Sequence, residues 1–188
     1  MANSIITDIN VELTKNGSGD WLMFRRHTIL NMFAGMFALV LALLVLPSTV
    51  WAANYMARDH LVVDLRFGIE WLRCSVGQVW NGTTCEGKVL TLDHEQIAMA
   101  IEQANEQLGG SWRLPNLEEL EGLLCTECTR PLIDADMFPE TASEPYWTGE
   151  KNGMATRHYF SVNFFNGWTY GRFFPTQQLA VRLVRDRY

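Results

Sequence analysis

"ILNMFAGMFALVLALLVL", Ile29 to Leu46, divides this chain before any question of folding arises. Only Asn31 interrupts the apolar run, Arg25 and Arg26 precede it, and "PSTVWA" follows it, with Val50 and Ala52 at the small-residue positions of a signal peptidase site. A short basic region, an apolar stretch and a V-x-A site together describe a secretory signal peptide over residues 23–52, with the mature protein starting near Ala53. The alternative is an uncleaved membrane anchor, because a run of this length sits at the short edge of what spans a bilayer. Pro47 and the V-x-A site favour cleavage. Residues 1–22 read as a lead or an over-extended start, and residues 53–188 as one domain.

With 48% hydrophobic and 19% charged residues, the composition is that of a folded protein. Residues 1–52 carry three acids and three bases, so the net charge of −6 belongs entirely to the remainder. An acidic domain is a poor match for nucleic acid or an anionic membrane surface. Membrane contact is expected only through the N-terminal segment, and only if it stays uncleaved.

All four cysteines follow the apolar run, and an even count in an exported chain reads as disulfides. Proximity pairs Cys74 with Cys85, a link that would contribute about 3 kcal/mol by loop entropy. Cys125 and Cys128 form a C-x-x-C. A redox pair draws its low thiol pKa from a helix N-terminus. This pair instead follows the end of an apolar helical pattern, where the dipole opposes a thiolate, so a structural disulfide is the favoured reading. A four-cysteine zinc site is the third option, disfavoured by export.

Along the domain, residues 53–60 read as a polar lead and "LVVDLRFGIEWLRC" as two extended segments about Gly68. "CSVGQVWNGTTC" reads as a loop closed by its cysteines, and "KVLT" as another extended piece. A first helix follows, with Ile97, Ile101, Ala104 and Leu108 on one face, Asp93 and Gln96 as its cap and Gly109-Gly110 as its stop. "WRLPNLEELEGLL" predicts a second helix entered through a stiff corner. Asn116 and Glu119 have capping-box spacing, Glu118 and Glu119 suit the first turn, and Leu117, Leu120 and Leu124 share a face. Residues 125–145 read as a long irregular loop. "RHYFSVNFF-NG-WTYGRFF" predicts a hairpin turning at Asn166-Gly167, and "LAVRLVRD" a final alternating strand. The order of elements is α+β.

"GIEWLRCSVGQVWNGTTC", "WRLPNLEELEGLL", "IDADMFPETASEPYWTGE", "FSVNFFNG" and "AVRLVRD", in this order, resemble the Lcl C-terminal domain family over roughly Leu61 to Arg187. The resemblance implies a C-type-lectin-like fold: two helices packed on a small antiparallel sheet with a long irregular loop. It also implies an exported binding module rather than an enzyme. The Trp-Arg-Leu-Pro corner itself reads as a structural joint, with Arg113 a buried hydrogen-bonding residue and Trp112 in the core. "WRLP" before an acidic helix is similar to the formylglycine-generating enzymes too. Their activity depends on paired cysteines late in the chain, and no cysteine follows Cys128 here. Calcium-dependent lectins use Glu-Pro-Asn. Glu144-Pro145 matches two letters, Tyr146 replaces the third, and few carboxylates cluster nearby to serve a cation that takes six to eight oxygens.

His27, His60, His94 and His158 are scattered, and no Ser/His/Asp set or phosphate-binding glycine loop stands out. No catalytic residue, metal or cofactor is therefore expected. The hairpin offers more. A two-residue turn would set Phe165 opposite Trp168, Asn163 opposite Tyr170 and Ser161 opposite Arg172. Phe160, Val162, Phe164 and Phe173, with Thr169 and Gly171, would then face the core. The opposite face would carry aromatics among amide, hydroxyl and guanidinium groups, the composition of a recognition surface. Asn163, Phe165, Trp168, Tyr170 and Arg172, with Trp147, are the candidate binding residues, for an unidentified protein or glycan of the cell envelope. The competing reading makes this face a second core layer. Two further functional classes stay open: an enzyme of C-x-x-C redox or formylglycine type, and a membrane-anchored envelope subunit.

Overall fold

The computed structural model describes residues 54–187, where eleven short strands outnumber two helices. The lead and the apolar segment, residues 1–52, lie outside the described residues. The first sheet is antiparallel in the order β1 (Tyr55–Arg58), β2 (Leu61–Asp64), β3 (Ile69–Leu72), β11 (Val184–Asp186). β1 occupies the stretch expected to be a polar lead. It is an edge strand with mostly exposed side chains, so its structure comes from backbone pairing with β2 and leaves no hydrophobic pattern to read. The turn between β2 and β3 uses Gly68 at φ 66°. Beside it the buried carboxylate of Asp64 accepts from the Arg66 guanidinium at 2.9 Å and from the Arg66 amide at 2.9 Å.

The disulfide Cys74–Cys85 closes a small hairpin of β4 (Gln78–Trp80) and β5 (Cys85–Gly87). β6 (Thr91–Leu92) leads into α1 (His94–Leu108). Asp93 caps this helix with a complete capping box to Gln96, and Gly109 ends it at φ 68°. α2 (Leu117–Glu121) has its own complete capping box, Asn116 to Glu119. It is one short helix followed by turns, with Leu120 and Leu123 buried.

The second sheet has the order β6, β10 (Leu179–Ala180), β7 (Pro145–Lys151), β8 (Tyr159–Asn163), β9 (Trp168–Phe173), with β10 and β7 parallel and the other pairs antiparallel. Tyr146, Val162 and Ala180 enter a core shared with Trp71 and Val184 of the first sheet, with Leu120 of α2 and with Phe138 of the long loop. Trp147 and Leu179 enter a second core with Ile97 and Ala104 of α1, Trp112, Val181 and Leu183. The second sheet is thus covered on both faces where β7 and β10 run. The molecule is α+β, as its element order implies.

The final segment corrects the expectation of one alternating strand. Leu179 to Val184 is buried without interruption, and the chain leaves the second sheet at Ala180 to join the first at Val184. Arg182 sits in this crossing, fully buried over the Phe138 ring, its guanidinium carbon 4.9 Å from the ring centroid. It donates to the Leu72 carbonyl at 2.9 Å, to the Arg73 carbonyl, to Ser75 Oγ at 3.1 Å and to Thr141 Oγ1 at 2.7 Å. No carboxylate pairs with it among the described residues. Burial lowers its pKa to about 10, so the cation persists at neutral pH. One buried arginine thereby ties the end of β3, the disulfide loop and the long loop to the crossing.

Candidate functional site

The Trp-Arg-Leu-Pro corner reads as structure. Trp112 is core, and its indole donates to the Gly109 carbonyl at 3.0 Å. Arg113 grips both oxygens of Glu119 at 2.8 Å and one oxygen of Asp186 at 2.6 Å, while its backbone pairs with Val184. The hydrogen bond to Glu119 holds the guanidinium pKa above its usual value. The buried member of this pair is Glu119, and Arg113 stays partly exposed, which corrects the expectation of a buried arginine. A buried carboxylate fixed this way locks α2 to β11.

The hairpin differs from its expected register. Asn163 lies opposite Trp168, Val162 opposite Thr169 and Ser161 opposite Tyr170. The turn spans Phe164 to Gly167, with Gly167 at φ 74° and its amide donating to the Asn163 carbonyl at 2.7 Å. Asn-Gly marked the turn correctly, but asparagine side chains lengthened it. Asn163 Oδ1 accepts from the Phe165 amide at 2.8 Å and Asn166 Oδ1 from the Trp168 amide at 3.0 Å. Further along, a register shift between Tyr159 and Ser161 puts Phe173 opposite Tyr159. Phe173 therefore packs on Trp147, ring centroids 5.9 Å apart, and leaves the face of Val162 and Phe164 where it was expected. Arg172 is exposed and Thr169, expected in the core, is exposed as well.

Of the six candidate residues, Trp147 does not reach the surface. It is 0% exposed, its indole donates to the Leu92 carbonyl at 2.8 Å, and the rings of His94, Tyr159 and Phe173 surround it. Ser161, its partner across the strands, is buried too, so this inner part of the face is core. The outer part is open. Trp168 is 66% and Phe165 50% exposed. Tyr170 and Asn163 are half-buried beside them, and the Tyr170 hydroxyl accepts from Asn166 Nδ2 at 2.9 Å.

The C-x-x-C explains how this tip is held. Cys125 and Cys128 are joined, and the Cys125 amide donates to the Leu132 carbonyl at 3.0 Å. The Leu132 amide in turn donates to the Phe164 carbonyl at 2.8 Å. Arg130, on the same loop, donates to the Phe165 carbonyl at 2.7 Å and lies over the Phe165 ring at 4.6 Å. The joined cysteines thus brace the hairpin.

Sequence reading missed a second region. A cleft of about 680 Å³ lies between α1 and the hairpin closed by Cys74–Cys85. Ala100, Gln103, Gln107 and Leu108 form one wall, and Gly77 to Trp80 with Leu90 form the other. Asp59 and His60 also line it, with His60 Nδ1 3.1 Å from the Asp59 carboxylate. Hydrogen bonds from His60 and Trp80 hold the Asp59 carboxyl below its usual range. Asp59 has φ 53°, in the left-handed region that asparagine and aspartate tolerate best. That turn was the one available signal. It went unread because "ARDH" carries no hydrophobic pattern. Among the described residues no group of three or more His, Cys, Asp or Glu side chains is arranged to hold a metal, and no helix is long and apolar enough to cross a membrane.

Comparison with curated proteins and with solved structures returned no match. Comparison with protein families matched residues 60–185 to the Lcl C-terminal domain, a span holding both disulfides, the braced hairpin and the capped corner. This match covers well over half of the chain, which therefore belongs to the Lcl C-terminal domain family.

Proposed function

We propose that this protein is an exported, non-catalytic binding module that engages a protein or glycan of the cell envelope through the tip of the β8–β9 hairpin. The observation that carries the reading is the pair of exposed aromatics, Trp168 and Phe165, on a turn braced by Arg130 and the Cys125–Cys128 loop. Large aromatics lose little conformational entropy on binding, and a pre-held turn loses less still. Asn163, Tyr170 and Arg172 supply polar groups around them. The architecture, two small and mostly antiparallel sheets with two helices and a long loop, is compatible with a C-type-lectin-like fold. Two disulfides and the signal-like segment over residues 23–52 support export.

The test uses the full chain and a Trp168→Ala variant, each immobilised against cell-envelope extract with a glycan panel beside it. Affinity should fall about 30-fold, as for a buried aromatic anchor. Unchanged binding would remove the tip from the reading. Export is checked by N-terminal sequencing, which should begin near Ala53. A full-length, membrane-embedded product would favour the anchored subunit.

A further inference from the structure

The cleft between α1 and the disulfide-closed hairpin has features of a peptide site. All three residues of β4 line it, whereas β5 contributes none, and β4 pairs with β5 alone. On the edge away from β5 the Gln78 amide already donates to the Ser75 carbonyl at 3.1 Å, and among the described residues the backbone groups of Trp80 are the ones left for a partner. The Asn81 amide donates to the Thr84 carbonyl, and antiparallel pairs alternate, so Val79 and Glu86 are the next exchanging pair. Trp80 then turns its N–H and C=O away from β5. An exposed strand edge of this kind is a template for an added strand.

The walls suit an extended peptide. Val79 is 70%, Leu90 47% and Leu108 45% exposed, and these three apolar side chains all line this one cleft. Isolated exposed leucines are ordinary, but three around one concavity are places for aliphatic side chains. Gln103 and Gln107 stand one helical turn apart on the facing wall, and neither amide has a hydrogen-bond partner among the described residues. Each offers a donor and an acceptor, as a peptide backbone requires. Charge then gives direction. Asp59 is the only carboxylate in the lining, and no lysine or arginine lines the cleft. Arg73 stacks on Trp80 at 4.0 Å, but its guanidinium is spent on the carbonyls of Asp59, Asp136 and Met137.

We propose that this cleft binds a short extended peptide with aliphatic side chains, added as a strand to β4, with its free amino end at Asp59. The site shares no residue with the hairpin tip, so a failure at either leaves the other standing.

The probe is the pentapeptide Leu-Val-Thr-Val-Leu, amidated and fluorescently labelled at its C-terminal end, titrated into the full chain in mild detergent. Three forms are compared: free amino end, acetylated amino end, and alternate amides N-methylated. Saturable binding of the free form is expected. Acetylation, N-methylation or Asp59→Asn should each weaken it about tenfold, the loss expected from one charge-assisted or two neutral hydrogen bonds. Asparagine suits the left-handed backbone at position 59, so this variant should melt with the parent. Should it unfold, the Gln103→Ala, Gln107→Ala double variant on the exposed helix face gives the same readout. Equal binding of the N-methylated form would overturn strand addition. The absence of saturable binding by the free form would overturn the site.

Discussion

Trp147 and Trp168 stand on the same face of the same sheet and have opposite fates. Trp147 on β7 pairs with Ser161 on β8, which pairs with Tyr170 on β9, and Trp168 lies two residues before Tyr170. The difference is what lies above them. His94 at the start of α1 meets the Trp147 ring at 4.7 Å, and the helix shares a core with it. The cover ends before the hairpin tip, so Trp168 keeps two thirds of its surface in water. A sheet face is therefore no unit of function by itself. The same alternation yields core under the helix and a surface beyond it.

Alanine substitutions break this comparison most directly. Trp147→Ala should cost about 3–5 kcal/mol, because the vacated volume is enclosed and the Leu92 carbonyl loses its donor. A urea melt reads this. Equal stability of Trp147→Ala and Trp168→Ala would mean that α1 does not cover the sheet as described.

The two disulfides contrast in the same way, at smaller scale. Cys74–Cys85 closes a sequence separation of 11 and Cys125–Cys128 one of 3. Loop entropy assigns about 3 kcal/mol to the first and about 2 kcal/mol to the second. Paired serine replacements should show that order in stability. Only loss of the second should weaken binding at the hairpin tip, because Arg130 is then less well held. Non-reducing peptide mapping should recover both links.

His94 sharpens the comparison through pH. Burial lowers its pKa below 6.5, so folding favours the neutral ring. Between the folded and unfolded pKa values the unfolded chain binds more protons. Its contribution is thus fully present above about pH 6.5 and is lost as pH falls towards the folded pKa. Denaturation midpoints should decline over that window, and the decline should shrink in His94→Gln. An unchanged slope would place the ring in water.

The smallest stability effect is expected at the tip. Trp168→Ala should change the melt by less than about 1 kcal/mol, since an exposed ring forfeits little burial. A loss as large as that of Trp147→Ala would make the whole face core.

Much of this molecule was readable from neighbouring residues alone. Both capping boxes, the Asn-Gly turn and the Cys125–Cys128 pair involve groups within a few positions of one another, and Cys74–Cys85 closes a separation of 11, so their geometry is set by backbone stereochemistry and short loops. What required the tertiary structure was every question of cover. "YWTG" and "GWTY" look alike as sequence, yet one tryptophan is sealed beneath α1 and the other stands free. "LAVRLVRD" alternates as a surface strand would, but it passes between two sheets, and Arg182 is buried there because carbonyls and hydroxyls from distant segments receive its donors. The cleft beside β4 joins walls from residues 59–90 and 100–108, so no local stretch announces it. Hydrogen bonding between neighbours is written along the chain, whereas burial depends on which distant element arrives above a residue, and only the folded chain decides that.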